Sequence, residues 1–298
     1  MILFDNDDTE EVLVALIAAI LVLLFVPVQK RVSGIIRARR FAILSAPAIL
    51  SAFFCAAAAR QHALSVPLAV AVSAFVFAPT VVVMIGVPKP QGSWLDLAAI
   101  LLLWLPLELG AGASLIPRAA QGTLHATIYG VAILLGLALF LLYRQMPGMR
   151  YNLPRRAGDF RNALLGWAVC AVVLIPLGLA IGFMQGPHAP PVSGARIPER
   201  IAFIFLGTAL PEEILFRALI QNWIVQRFGE SNVAIAAAAL IFGAAHLDNG
   251  PQALPNWRYM IVATLAGFAF GKVFQKSTSV IASALTHAGV NTVKYLWF

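Results

Sequence analysis

Charge is scarce in this 298-residue sequence. Only 11% of its residues are Asp, Glu, Lys or Arg, while 60% are hydrophobic; soluble domains carry about 25% charged residues. That shortage excludes an ordinary soluble domain, whose core cannot absorb so much apolar surface, whereas a bilayer can. Cysteine is nearly absent as well. Cys55 and Cys170 both lie in apolar runs without metal-ligand spacing, so neither a disulfide framework nor cysteine chemistry is expected, and both read as small packing residues. The sequence has no internal repeat, no low-complexity tract, no His-Glu-x-x-His and no Gly-x-Ser-x-Gly. No pair of aspartates lies deep in its apolar segments. Zincin-type, serine and aspartyl chemistries therefore have no signature here.

What is present is apolar sequence in span-length blocks. A transmembrane helix needs roughly 20 apolar residues. Such segments fall at 12–28, 41–59, 63–87, 97–116, 124–143, 162–184, 201–225, 232–247, 258–275 and 279–297, the eighth being short. The expected fold is all-α, a polytopic transmembrane helical bundle of about ten spans (eight to ten). The protein is expected to be integral and multi-pass, in the cell or inner membrane if the source is bacterial. Asp5, Asp7, Asp8, Glu10 and Glu11 precede the first segment, where a cleaved signal peptide would be basic, so this segment reads as a retained span.

Net charge is +8. Counted over ten spans, Lys30, Arg31, Arg37, Arg39, Arg40, Lys89, Arg144, Arg150, Arg155, Arg156, Arg161, Arg227, Lys272 and Lys276 share one side. Arg60, Arg118, Arg196, Arg200, Arg258 and Lys294 fall on the other, and Arg217 is left inside a span. The positive-inside rule then puts both termini outside the cytoplasm. An anionic lipid surface accounts for the basic loops, so the bilayer is an expected partner and nucleic acid is not.

The longest polar interruptions are 144–161 and 185–200, the second carrying Pro187, Pro190, Pro191 and Pro198 as an extended linker. Apart from Asp96 and Glu108, the spans before it are nearly featureless. Residues 1–160 therefore read as scaffold and 161–298 as the functional core. Asp96, His125 and Asp248 are expected at interfaces, and Glu108 as a satisfied carboxylate near a helix end. Ala263, Gly267 and Gly271 form a small-x-x-x-small pattern that brings helices close.

A charge at bilayer depth costs several kcal/mol and must be paired, hydrated or functional. Leu210-Pro211-Glu212-Glu213-Ile214-Leu215-Phe216-Arg217 puts three ionisable groups in one segment. On a helix Glu213 and Arg217 are i,i+4 neighbours, acid before base, while Glu212 points about 100° away. Pro211 invites a kink or a fresh helix start just before the acids. The pattern reads as one carboxylate held by an arginine and another placed for general-base work. Phe242 and His246 are also i,i+4, as are His287 and Asn291. A carboxylate, two histidines and an amide are the parts for water-mediated acyl hydrolysis. Glu212 and His246 would orient and deprotonate a water, and His287 and Asn291 would donate to a tetrahedral oxyanion. Alone, a membrane histidine is more often an interhelical donor than a catalyst, a Glu–Arg pair is often structural glue, and His-x-x-x-Asn arises easily by chance; their occurrence together in the last third of the chain favours chemistry.

Glu212-Glu213-x-x-x-Arg217, Phe242-x-x-x-His246 and His287-x-x-x-Asn291, in that order, resemble the motifs of the CAAX protease and bacteriocin-processing family of intramembrane glutamic endopeptidases, which includes the type II CAAX prenyl endopeptidase. The resemblance spans roughly residues 160–298. It implies that Glu212 and His246 activate water, that His287 and Asn291 form the oxyanion hole, and that Glu213, Arg217 and Phe242 support them. It also implies no obligatory cofactor, with zinc held by Glu212, His246 and His287 as the alternative. The implied substrate is a membrane-anchored or lipidated peptide or protein. One expectation conflicts with this: the charge rule puts His246 near the extracytoplasmic end of its span, whereas prenylated substrates come from the cytoplasm. Two rival functions remain. One is a non-catalytic accessory or immunity protein of the same fold. The other is a proton-coupled transporter, which predicts matching polar residues in both halves that this sequence lacks.

Overall fold

A computed structural model describes residues 7–39, 41–250 and 252–298; Asp5 of the acidic leader and Arg40 of the first basic cluster lie outside them, as do the side chains of Asp7, Asp8 and Glu10. Every regular element among the described residues is helical. Lipid demands this, because each backbone N–H and C=O must then find its partner within its own segment. The chain divides into two compact units, Met1–Pro147 and Gly148–Phe298.

In the first unit, α1 (Asp7–Val22) is followed by α2 (Val26–Arg37) after a turn of 98°. Pro27 sits in the first turn of α2, where its missing N–H costs nothing. Ser33 anchors α2 by donating to the Leu142 carbonyl at 2.6 Å. Next come α3 (Ser45–Arg60), α4 (Val66–Gly86), α5 (Trp94–Glu108) and α6 (Gln121–Gly136), the last running on as a π-helix over Leu137–Tyr143. Asp96, expected at an interface, is instead fully buried. It closes a capping box with Ser93 at the start of α5 and pairs with Arg144 at 2.9 Å. The Arg144 guanidinium also donates to the carbonyls of Val87, Lys89 and Pro90 at 2.8–3.0 Å, so the arginine read as loop charge is a buried clamp. Glu108 ends α5 and accepts from Trp104 Nε1 at 3.0 Å, as a satisfied carboxylate.

The second unit opens with α7 (Ala157–Ala180). Asp159 in its first turn accepts from the backbone N–H of Arg155 and Arg156 and from the Thr278 N–H and hydroxyl, the last two at 2.7 and 2.6 Å. It thereby ties α7 to the turn between α12 (Trp257–Lys276) and α13 (Val280–Trp297). Arg150 donates to the carbonyls of Phe274, Gln275 and Ser277 and so covers the C-terminal end of α12. Between α7 and α12 run α8 (Ile197–Ile204), a π segment Phe205–Ala209, a short α9 (Leu210–Glu213), a second π segment Ile214–Gln221, α10 (Asn222–Phe228) and α11 (Asn232–Ala244). The small residues of α12 do bring helices together: a Cβ on Gly267 would stand 2.9 Å from Phe242, and one on Gly271 2.7 Å from Ile235, both on α11.

Among the described residues, four helical stretches are long and apolar enough to cross a membrane: Ala42–Arg60, Val66–Gly86, Arg118–Tyr143 and Ala157–Ala180. The bent pair formed by α1 and α2 makes a fifth candidate. About ten were expected, and each shortfall has a local cause. The segment 12–28 straddles the bend. The segment 97–116 loses its end where Gly110 and Gly112 adopt positive φ beyond α5. The segment 201–225 alternates α and π turns, and α11 has 13 residues. Arg258, Lys272 and Lys276 interrupt α12, while His287, Asn291 and Lys294 interrupt α13. The sidedness drawn from ten spans depended on that count and remains an expectation.

Candidate active site

The acidic segment makes a fresh start at Pro211: α9 begins at Leu210, with the proline in its first turn. A proline removes one backbone donor and crowds the preceding turn; here the wider π turns of Phe205–Ala209 lie immediately before it and accommodate the ring. A second π segment begins directly after Glu213. Two such segments flanking one pair of carboxylates is a local geometry that recurs at functional sites. The Glu213–Arg217 pair forms as the spacing predicts, with Arg217 Nε 3.2 Å from Glu213 Oε2 and both side chains 0% exposed. Arg217 lies over the ring of Phe242 at 4.8 Å and near that of Phe270 at 5.8 Å, so aromatic faces as well as the carboxylate receive its charge.

His287 of α13 joins the two glutamates. Its Nδ1 is 3.1 Å from Glu213 Oε1 and its Nε2 is 3.8 Å from Glu212 Oε2. A carboxylate can only accept, so Nδ1–H donates to Glu213, and Nε2 is the nitrogen turned toward Glu212. The second distance exceeds a hydrogen bond but is within ion-pair range. The Arg217–Glu213–His287 chain thus fixes the imidazole, while the 27%-exposed Glu212 side chain opens onto the cavity. Phe270 stacks on His287 with centroids 4.6 Å apart and planes at 20°.

His246 lies just beyond the end of α11, buried, with Nδ1 2.8 Å from the Phe242 carbonyl. A carbonyl too can only accept, so Nδ1–H is the donor. When the ring is neutral, Nε2 therefore carries a lone pair. Phe242 is the packing hub, edge-on to Phe216 and to His287 and tilted against His246. Glu212, His246, His287 and Asn291 all line one cavity of about 70 Å³, walled by residues that include Phe183, Tyr259, Phe270 and Lys294. Among the described residues, no group of three or more His, Cys, Asp or Glu side chains is placed to hold a metal ion.

The sequence reading did not single out Tyr259, Phe270 or Lys294. For Lys294 a signal existed: it stands seven residues after His287 and three after Asn291, on the same helical face. His125 and Asp248 are exposed and lie outside this cavity.

Residues 197–293 match the family model described as type II CAAX prenyl endopeptidase Rce1-like. The matched stretch, about a third of the chain, contains all seven residues of the three motifs. That stretch of the chain is thus similar to the CAAX protease family, and the apolar helices accord with an integral membrane protein. No curated protein and no solved structure is significantly similar to the chain.

Proposed function

We propose that the protein is an intramembrane endopeptidase that hydrolyses a peptide bond near the membrane surface, with residues 161–298 as its core. The observation that carries this reading is the position of His287 between two carboxylates, one locked by Arg217 and one open to the cavity shared with His246 and Asn291. In this reading Glu212 takes a proton from water as the oxygen attacks the scissile carbonyl. His246 Nε2 accepts the water's other hydrogen and so aims the lone pair. The charge then develops on the carbonyl oxygen, where Asn291 Nδ2–H donates. His287 donates from Nε2 when its ring carries both protons. Glu212 returns its proton to the departing amine as the C–N bond breaks, leaving an acid and an amine. The mechanism routes no step through a metal.

A cavity of about 70 Å³ leaves room for the attacking water. The substrate class we propose is a membrane-anchored or lipidated peptide or protein.

The test is cleavage of a prenylated peptide and a mixed set of membrane-anchored peptides by purified, detergent-solubilised protein. Wild type is compared with Glu212→Gln and His246→Ala, with and without chelator. Cleavage that both substitutions abolish and chelation spares is the expected result. Loss on chelation would move the chemistry to a metal, and variants as active as wild type would end the proposal. A folded wild type that cuts none of these substrates would favour the accessory-protein reading.

A further inference from the structure

Lys294 lies one residue beyond the family match and belongs to none of the three motifs, yet it lines the same cavity as Glu212, His246, His287 and Asn291. On an α-helix rising ~1.5 Å per residue, it stands about 4.5 Å past Asn291 and about 10 Å past His287 along one face. Its ammonium sits 4.4 Å from the ring centre of Phe183 and 4.7 Å from that of Tyr259, and those two rings are themselves 4.9 Å apart. Among the described residues these two rings are its partners, and none of its three N–H donors meets a carboxylate, carbonyl or hydroxyl.

Aromatic faces hold a cation in place but offer no lone pairs. Nearby Arg258, which donates to the Gly182 carbonyl at 3.4 Å, adds positive charge and no acceptor. A half-buried ammonium whose donors are unmatched is costly unless something meets it. Leucine or methionine would fill the same volume at no such cost.

We propose that Lys294 is a specificity-determining residue whose ammonium takes a carboxylate of the substrate within a few residues of the cleaved bond. The inference rests on the endopeptidase reading above and extends it to substrate class. An extended peptide advances ~3.3 Å per residue, so a chain whose reacting carbonyl lies at His287 passes Lys294 within a short stretch. The carboxylate has two sources, a chain's C-terminal group or an acidic side chain, and both present the same oxygens to the same donors.

Three peptides of otherwise equal sequence separate the sources: one with a C-terminal carboxylate, one with a C-terminal amide, and one amidated but carrying Glu near the scissile bond. For wild type, a charge-assisted hydrogen bond predicts a KM on the order of ten- to a hundred-fold lower for a carboxylate-bearing peptide than for the plain amide. Lys294→Met should remove that difference by raising KM, and Lys294→Arg should keep most of it. Preference for the first peptide alone assigns the terminus, and preference for the third assigns the side chain. Equal KM values for all three in wild type, or an unchanged ratio in Lys294→Met, would overturn the inference while leaving the Glu212-dependent cleavage intact. Should Lys294→Met fail to fold, Lys294→Gln and Lys294→Arg carry the comparison, each checked by thermal melting. If wild type hydrolyses none of the peptides, the endopeptidase reading fails first and this inference falls with it.

Discussion

Removing Arg217 should be among the most damaging single changes in the second unit. The Glu213–Arg217 pair is separated by 3.2 Å with neither side chain exposed. At an effective dielectric of about 20, that separation gives an attraction of about 5 kcal/mol. Burying two charges costs several kcal/mol apiece, so the pair as a whole contributes little net stability. The asymmetry lies in breaking it. Arg217→Met leaves the Glu213 carboxylate buried without its cation, with the His287 Nδ1–H and the Ser283 hydroxyl against it, a loss of about 3–5 kcal/mol. For a unit of this size that corresponds to a fall in apparent Tm on the order of 10 °C. Glu213→Gln should cost a comparable amount by leaving the guanidinium without its nearest carboxylate, facing the Phe242 and Phe270 rings and the charge of Glu212. The double variant Glu213→Gln/Arg217→Met should then be far less destabilised than the sum of the singles, since no uncompensated charge remains. Thermal melting of the four proteins in one detergent is the assay. Single variants that melt within about 2 °C of wild type, or strictly additive losses, would refute the claim that these groups compensate each other.

Three other changes probe separate parts of the fold. Arg144→Met should cost about 3–5 kcal/mol by leaving buried Asp96 without its cation and three carbonyls without their donor, and Arg144→Lys should not rescue it, because a lysine cannot span those acceptors with a planar fork; melting measures both. Gly243→Ala should be destabilising by about 1–3 kcal/mol, since its Cβ would collide with the Thr264 side chain and stand 2.8 Å from the Met260 carbonyl across the α11–α12 contact; a melting temperature equal to wild type would show that the helices can part. Asp159→Ala removes the acceptor of four donors and should loosen the start of α7 and the α12–α13 turn, by about 1–3 kcal/mol; faster amide hydrogen exchange at Thr278 is the specific readout, and unchanged exchange there would contradict it.

Within the site, the local pairs were legible and their meeting was not. Spacing of i,i+4 signalled Glu213–Arg217 because the two neighbour each other on an α-helix, and the contact survives where the chain switches to π turns. It likewise placed the His246 ring within reach of the Phe242 carbonyl. That His287 would reach both glutamates depends on how α13 crosses the acidic segment, which no periodicity encodes. The Asp96–Arg144 clamp has the same character: its partners are 48 residues apart, and each alone looked like an interfacial charge.

The count of about ten spans is not confirmed, and the reason lies in what apolar and charged residues each record of their surroundings. Lipid tails and a protein interior are nearly equivalent surroundings for Leu, Val or Ala, so apolar residues do not record which of the two they meet. A hydropathy window therefore cannot see the 98° turn after α1, the glycines that end α5, or the α and π alternation around the acids. A charge has no such indifference, because burial without a partner costs several kcal/mol and the chain must supply something to meet it. Glu213 is met by Arg217 and His287, Asp96 by Arg144, and Asp159 by Thr278. In a chain this poor in charge, each buried ionisable group constrains its surroundings more tightly than any apolar segment does. The same logic makes Lys294 conspicuous, since its described surroundings are two aromatic faces and a cavity.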